Sequence, residues 1–234
     1  MIKIENLETW GFEHAIRGMR NPMNSWAKSD SFYPPMPNEI KNYFVPKNFY
    51  LGPNDLELMR KLYLAGTEHR KFMRQIFISL DITAPLYWWK EFDTYKVGTV
   101  TNSCSTMHKL QEKEFAWTDF SAEHLLDDWF ASNTLGYGDT PSITPNVLMD
   151  LIIEQLNLYR AKFLETTDKK WWWQMIQLLP SSYNQRRTIT MTYENAATIV
   201  HQRHSHKLDE WQNFVSVLVQ DLPYFAEIAG KEKE

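Results

Sequence analysis

The sequence predicts an α+β fold, a single helix-rich domain with a small antiparallel or mixed sheet. The segment 144–165 repeats apolar residues at helical steps, which predicts a long helix with one apolar face. The segment 72–82 alternates apolar and polar residues in part, which is typical of a strand. Because the chain contains no repeat, low-complexity segment or flexible linker, we expect residues 1–234 to form one domain with a sizeable core.

The N-terminal region begins with weak signals for one strand and one helix. Ile2–Leu7 is predicted as a short strand, and Glu8–Gly18 as a helix. The stretch Ser29–Pro53 then contains several prolines, which fix φ and remove N–H donors. We therefore expect an irregular connection there, and its many aromatic residues indicate that it packs against the rest of the protein.

The next helix carries signals at both of its ends. Asn54 or Asp55 is able to act as the N-cap, and Gly66 follows the last predicted helical residue, Ala65. The strand predicted over Phe72–Ile82 comes next. The remaining predicted elements are an aromatic-rich segment at Leu86–Phe92, helices at Ser121–Phe130, Thr144–Glu165 and Asp168–Leu178, a short strand at Thr188–Thr192, and helices at Tyr193–Arg203 and Lys207–Val219.

Composition excludes some classes of function. The net charge is −4, so the chain lacks the basic excess typical of proteins that coat nucleic acid or anionic membranes, and we expect neither as a partner. The N-terminus lacks the pattern of a signal peptide, and no apolar run is long enough to span a bilayer. Cys104 is the only cysteine, which excludes an intrachain disulfide and fits a reducing compartment. These observations together favour a cytoplasmic protein.

Two patterns carry most of the functional signal. The first spans Tyr95 to His108 and lies without a gap over a motif of Arg-His-Arg, two residues, Ser, one residue, Asn-Glu, one residue, Ser, one residue, Arg-Tyr. Asn102 and Ser105 match this motif, whereas Ser103 stands at the Glu position. Upstream of it, Glu68 begins a Glu-His pair, and an Ala-Pro pair follows the predicted strand.

The second pattern runs from Leu179 to Glu210. It fits a motif that begins with Leu-Pro, passes through Asn-x-Arg, and ends a helix in an arginine. Arg203 stands at the position of that last arginine, whereas Thr192 and Glu194 occupy the Asn-x-Arg positions. Together the two patterns resemble the signature regions of the flavin-dependent thymidylate synthases, over more than half of the chain.

The resemblance implies a fold, ligands and an assembly. It implies the thymidylate synthase type of domain, FAD and dUMP as ligands, and a homotetramer with sites shared between subunits. Tyr95, Lys96, Asn102 and Glu68 stand at positions that contact the flavin in that family. Ser105 and Arg203 stand at positions that contact the nucleotide phosphate, and Arg186 and Arg187 are additional cations nearby.

The substitutions predict an altered chemistry. A reduced flavin develops negative charge and carries an anionic pyrophosphate, so it needs cations and hydrogen-bond donors. The chain has lost several of the family's arginines, and Glu194 reverses the charge at one of them. We therefore expect FAD in the family's pose to bind weakly or not at all, while a phosphate remains able to meet Ser105 and Arg203.

Three hypotheses follow, and the sequence assigns no catalytic residue to any of them. The first is a divergent member of this fold that binds a nucleotide-like ligand in a homo-oligomer. The second is an active FAD-dependent enzyme that converts dUMP to dTMP with altered flavin contacts. The third is a structural or protein-interaction use of the fold.

Other residues have simpler interpretations beside their functional ones. Cys104 is expected to be a small buried residue. His201, His204 and His206 favour surface or interface positions over a metal site, because no carboxylate frame accompanies them. The pair Trp88 and Trp89 and the triplet at 171–173 favour packing in a core or interface over stacking on a base or flavin.

Overall fold

A computed structural model describes residues 2–34, 49–127 and 143–230. Within them a four-stranded antiparallel sheet has the order β1-β2-β4-β3. Its strands are β1 (Lys3–Trp10), β2 (Phe77–Pro85), β3 (Val100–Ser103) and β4 (Asn184–Thr192). The helices are α1 (Phe12–Arg20), α2 (Pro53–Ala65), α3 (Leu86–Phe92), α4 (Pro145–Thr166), α5 (Lys169–Leu178), α6 (Tyr193–Arg203), α7 (Asp209–Gln220) and α8 (Phe225–Ala229). The predicted α+β class, helix-rich with a small sheet, is confirmed.

The boundary between β1 and α1 differs from the prediction. Residues predicted to begin a helix at Glu8 instead extend β1 to Trp10, and α1 begins at Phe12. Gly11 separates the two elements with a φ of 99°, a left-handed conformation that only glycine adopts without strain. A Cβ at this position would lie 2.1 Å from the carbonyl oxygen of Gln75, so a side chain is excluded there.

The strand predicted over Phe72–Ile82 begins later than expected. Residues Lys71–Gln75 form a 3-10 turn, and β2 runs over Phe77–Pro85. Phe72 and Met73 are both buried. In a strand with one face in solvent, two consecutive residues would point to opposite faces and only one of them would be buried. Phe72 and Met73 are therefore buried in a turn, whereas Ile78, Leu80 and Ile82 alternate within β2 as predicted.

Helix α2 is capped from elsewhere in the chain. Sequence reasoning assigned the N-cap to Asn54 or Asp55, which is wrong, because the structure places Gly52 there and Pro53 in the first turn. The side chain of Asp30 accepts hydrogen bonds from the backbone N–H groups of Asn54 and Asp55, at 2.9 and 3.1 Å. The predicted helix end at Gly66 is confirmed.

The irregular connection predicted over residues 29–53 lies partly outside the described residues. In its described part, Phe32 and Tyr50 form an isolated antiparallel bridge. The helix predicted over Ser121–Phe130 does not form in its described part, which ends at Asp127. Ser121 instead donates its backbone N–H to Ser182 and its hydroxyl to Asn184. Tertiary hydrogen bonds have replaced the local helical ones there.

The C-terminal helices follow the prediction closely. α4 and α5 begin after N-caps supplied by Thr144 and Asp168, and α6 covers the predicted residues Tyr193–Arg203. The predicted strand at Thr188–Thr192 is longer, because β4 begins at Asn184. The last predicted helix is shifted slightly, with α7 ending at Gln220.

Two compact units can be distinguished within the chain. The first comprises described residues of Met1–Lys3, Ile82–Thr94 and Asn102–Arg187, and the second those of Ile4–Asp81, Tyr95–Thr101 and Thr188–Glu234. The core of the first unit includes Leu110, Phe115, Phe120, Met149, Ile153, Leu156 and Met175. The buried side chains of the second include Phe12, Ile16, Met59, Ile78, Leu80, Ile199, Trp211 and Phe214. The boundaries of a single domain over residues 1–234 stay a prediction.

Candidate functional site

Ser105 lies just after β3 in the first unit, beside β4. The neighbouring Cys104 donates its N–H to the carbonyl oxygen of Arg186 at 2.9 Å and accepts a hydrogen bond from the side chain of Gln185 at 2.7 Å. The hydroxyl oxygen of Ser105 accepts from the N–H of His108 at 3.1 Å. This contact holds the turn after β3, and the hydroxyl proton of Ser105 is able to point to a ligand oxygen.

The two arginines of β4 have different environments. Arg187 is largely buried, donates to Gln185 and Asp93 at 2.9 and 2.8 Å, and lies with its guanidinium 4.2 Å from the ring centre of Trp89. These contacts hold the side chain in one orientation and neutralise its charge. Arg186, one position earlier along the strand, is exposed. The structure therefore places Arg186 next to the Ser105 turn as the more accessible cation of the two.

Arg203 and Tyr95 lie together in the second unit, although the resemblance assigns them to different ligands. The Nε of Arg203 donates to the hydroxyl of Tyr95 at 2.9 Å, and that hydroxyl donates to Gln202 at 2.9 Å. The guanidinium also lies 4.7 Å from the ring centre of the fully buried Trp211. A hydrogen bond and a ring contact together orient this half-buried cation.

Glu194 has a built environment of its own near the start of α6. Its carboxylate accepts two hydrogen bonds from Arg74, one of them at 3.1 Å, and lies 3.9 Å from the Nε of Arg70. The carboxylate holds the pKa of Arg74 above its ordinary value, through the hydrogen bond and the opposite charge. The structure thus surrounds the reversed charge at position 194 with two arginines from the segment before β2, which sequence reasoning missed.

Thr192 serves the helix rather than facing outward as a ligand residue. It is the N-cap of α6, where its hydroxyl accepts from the N–H of Asn195 and donates to the Asn195 side chain at 2.6 Å. Asn195 in turn donates to the carbonyl oxygen of Val97 at 2.7 Å. The two positions that the resemblance aligns with Asn-x-Arg therefore carry a helix cap and an ion-paired carboxylate.

The other residues assigned to the flavin are exposed. Glu68 follows α2, and hydrogen bonds from its own backbone N–H and from Thr67 lower the pKa of its carboxyl. Lys96 lies in the turn before β3 in the second unit, and Asn102 lies within β3 in the first. In the described contacts, neither Glu68 nor Lys96 joins the pair formed by Tyr95 and Arg203.

Several simpler interpretations are settled by burial and contacts. Cys104 is exposed, so the expectation of a buried cysteine is wrong. It follows β3 at the surface, where its backbone rather than its side chain pairs with β4. Trp88 and Trp89 are fully buried, as packing residues are, while the Nε1 of Trp172 donates to the carbonyl oxygen of Met107 in a loop.

The histidines near the end of α6 bond to the backbone or pack on rings. The ring of His204 contacts the carbonyl oxygen of His201, and that of His206 accepts from the N–H of Leu208 and packs on Trp211. Over residues 2–34, 49–127 and 143–230, no group of three His, Cys, Asp or Glu side chains is arranged to hold a metal ion. Across the same ranges, every helix is too short or too polar to cross a bilayer.

Comparison with known proteins finds a likeness in structure only. No protein-family model matches the chain, and no curated protein sequence does. The structure is similar to thymidylate synthase X from Helicobacter pylori in complex with FAD and dUMP, with 14% identity, a TM-score of 0.64, and coverage of 98% of this chain and 97% of that one. A second structure of the flavin-dependent enzyme from the same organism, also with FAD and dUMP, gives 15% identity, a TM-score of 0.63 and 97% coverage of both chains. At this identity the likeness establishes a fold of the flavin-dependent thymidylate synthase type.

Proposed function

We propose that the chain is a divergent thymidylate-synthase-like protein that binds a nucleotide-like ligand in a homo-oligomer, without the full flavin chemistry of its structural neighbours. Those neighbours bind FAD and dUMP on the same fold. We propose that this chain binds an anionic nucleotide but does not bind FAD in the pose of that family.

The observation that carries this proposal is the environment of Glu194. A flavin in the family's pose would meet an arginine at this position, but here it would meet a carboxylate whose partners are Arg70 and Arg74. Bringing the anionic groups of FAD next to a carboxylate costs free energy, and breaking the ion pairs to turn the arginines outward costs more. The residues present therefore do not fit FAD in that pose.

The nucleotide side keeps groups that suit a phosphate. Ser105 offers a hydroxyl in the first unit and directly follows Cys104, whose backbone N–H bonds to the carbonyl oxygen of the exposed Arg186. Arg203 is held by Tyr95 and Trp211 in the second unit, so little side-chain entropy is lost when it binds an anion. Charge-assisted hydrogen bonds from such groups are the usual means of holding a phosphate.

The second hypothesis, an active flavoenzyme, has one observation in its favour. Arg70 and Arg74 bring two cations against a single carboxylate, which leaves a net positive charge near position 194. An altered flavin pose that uses these two arginines would retain dUMP-to-dTMP chemistry. Absorbance decides between the two hypotheses: we expect colourless purified protein, and stoichiometric flavin absorbance would overturn the first.

Binding of dUMP tests the assigned residues directly. Titration calorimetry on Ser105→Ala and Arg203→Ala should show each weakening dUMP binding by about 1–3 kcal/mol, the size of a lost charge-assisted hydrogen bond. Ser103→Ala and Lys207→Ala are matched controls, because both residues are exposed and neither is assigned to the ligand. Equal affinities in all four variants would discard the site, and no binding of any nucleotide by the parent protein would favour a structural role.

A further inference from the structure

A half-open cavity of about 350 Å³ lies in the second unit, and none of the residues assigned to the nucleotide or the flavin lines it. Helix α1 forms one wall, and the chain around Trp26, Phe32 and Phe49 forms the other. The volume falls in the range of small-molecule sites and is roughly twice that of a cavity that holds benzene. The space therefore suits a ligand of one or two rings.

The wall contains a buried cation, Arg20. Its side chain is about 5% exposed, its Nε donates to Asp55 at 2.6 Å, and its Nη1 donates to the carbonyl oxygen of Ser25 at 3.3 Å. None of the hydrogen bonds that the structure describes for Arg20 involves its Nη2. Arg20 borders the cavity, and Nη2 is the guanidinium nitrogen to which the described hydrogen bonds assign no protein acceptor, so its N–H groups are the donors that remain for a ligand.

Asp55 holds Arg20 rigidly, so the cation is already in place before a ligand arrives. The other carboxylate oxygen of Asp55 accepts from the hydroxyls of Ser29 and Ser31, both at 2.7 Å, and from the N–H of Asp30. Both oxygens of this fully buried carboxylate are therefore satisfied by the protein. A ligand would not need to displace any of these bonds to reach Nη2.

The rim of the cavity carries one charge of each sign. Glu13 and Arg17 are exposed, line the cavity and lie four residues apart on one face of α1. In the described chain they form no ion pair with each other, and Arg17 instead contacts the ring of His14 at 2.6 Å. Among the described lining residues, Arg17 and Arg20 are cations and Glu13 is a carboxylate. Asp55 neutralises the charge of Arg20, but the N–H groups of Arg20 that Asp55 does not bind still favour a ligand with a strong acceptor such as a carboxylate.

The remaining wall is aromatic. Tyr33 and Phe49 meet edge to face with ring centres 4.9 Å apart. Phe32 also lines the cavity and packs against Tyr50, which does not line it. Trp26 is half exposed and is anchored by a hydrogen bond from its Nε1 to Asn21 at 2.8 Å. Aromatic walls of this kind favour a flat apolar ligand body.

We propose that this cavity is a second binding site, specific for a small aromatic carboxylate. The carboxylate accepts hydrogen bonds from Nη2 of Arg20 and meets the charge of Arg17, while the ring lies against Trp26 and Phe49. Glu13 repels the carboxylate at one side of the rim and so lowers the affinity for the ligand. The site is independent of the proposed nucleotide site, because Ser105, Arg186 and Arg203 do not line it.

Titration calorimetry with indole-3-carboxylate tests the proposal, with indole as the neutral ligand of the same ring. We expect the carboxylate to bind more tightly than indole. Arg17→Gln should weaken indole-3-carboxylate by about two- to fivefold, the usual effect of one exposed charge, and leave indole unchanged. Glu13→Gln should strengthen binding of the carboxylate by a similar factor, because it removes the negative charge among the described lining residues.

Two controls make the test decisive. Lys61→Gln removes an exposed cation of α2 that does not line the cavity, and it should change nothing. Trp26→Ala removes half-exposed wall area and should weaken both ligands. Failure of indole-3-carboxylate to bind at millimolar concentration, or weaker binding in Glu13→Gln, would overturn the proposal. Competition with dUMP would also overturn it, whereas loss of dUMP binding alone would refute only the nucleotide site.

Discussion

At the scale of single residues, the buried pair of Arg20 and Asp55 joins two parts of the second unit. Asp55 lies in the first turn of α2 and binds the chain at residues 29–31, while Asp30 caps the same helix. A buried ion pair contributes little net free energy, but loss of one partner is costly because a charge stays buried without compensation. The contacts of Asp55 with residues 29–31 and of Asp30 with α2 therefore hold the N-terminus of α2 and the wall of the cavity in place together.

Replacement of Asp55 tests that role. Asp55→Asn should lower the free energy of unfolding by about 3–5 kcal/mol, because Arg20 would stay buried beside a neutral side chain. Urea denaturation followed by circular dichroism measures this change. Asp30→Asn, which weakens only the helix cap, should cost about 1 kcal/mol. Equal losses in the two variants would contradict the central role of the buried pair.

The carboxyl group of Asp55 should also make the free energy of unfolding depend on pH. Burial raises the pKa of Asp55, but hydrogen bonds from Ser29, Ser31 and Arg20 and the charge of Arg20 lower it more, so the pKa lies below its ordinary value. A lowered folded pKa means that the stabilisation is complete above the unfolded pKa of about 4 and is lost as the pH falls through the folded value. The difference in unfolding free energy between the parent protein and Asp55→Asn should therefore shrink below about pH 4. A difference that stays constant down to pH 2 would argue against this.

At the scale of elements, helix α6 shows how local signals and site residues overlap. Thr192 and Asn195 exchange hydrogen bonds in a capping box, which fixes where the helix begins. Glu194, two residues after Thr192, lies in the first turn of α6, where a negative charge interacts favourably with the helix dipole. Helix capping accounts for Thr192, whereas the pairing of Glu194 with Arg70 and Arg74 comes from the tertiary structure.

Thr192→Ala tests the cap. The variant should lose about 1 kcal/mol of unfolding free energy, because the N–H of Asn195 loses its acceptor. Thr192→Asn places a good capping residue at the same position and should stay close to the parent protein in stability. Thermal and urea unfolding of the two variants in parallel give the comparison. A larger loss in Thr192→Asn than in Thr192→Ala would show that the cap is not what this position supplies.

At the scale of the whole molecule, the described surface includes exposed apolar side chains. Leu148, Leu151 and Leu158 along α4 are each about half exposed. Contiguous exposed apolar patches are typical of proteins that bind another protein or a second copy of themselves. This supports the homo-oligomer in the proposed function.

Native mass spectrometry measures the assembly and any retained small molecule together. We expect a species of four times the chain mass of 27.8 kDa, carrying no FAD. The melting temperature should rise with protein concentration, because assembly stabilises the folded chain by mass action. A monomer at every concentration, with a melting temperature that does not change, would rule the assembly out.

The sequence by itself determined the fold class and the elements whose signals are local. The apolar period of residues 144–165, the starts of the two helices near Thr144 and Asp168, and the bounds of α6 all follow from neighbours a few residues apart. Helix formation depends mainly on such contacts, so it can be predicted from the chain. The resemblance of the two patterns to the flavin-dependent thymidylate synthases also implied the type of fold, although the identity to the similar structures is only 14–15%.

Only the tertiary structure decided which charges meet. Asp30 caps a helix that begins more than twenty residues later in the chain. Arg70 and Arg74 lie beside Glu194, which is more than a hundred residues away in the sequence. The need for a glycine at Gly11 is also tertiary, because the backbone of Gln75 lies where a side chain would be. The same is true of the cavity, whose buried cation Arg20 depends on Asp55. The free energy of each contact comes from burial and pairing in the folded chain, which no local pattern records.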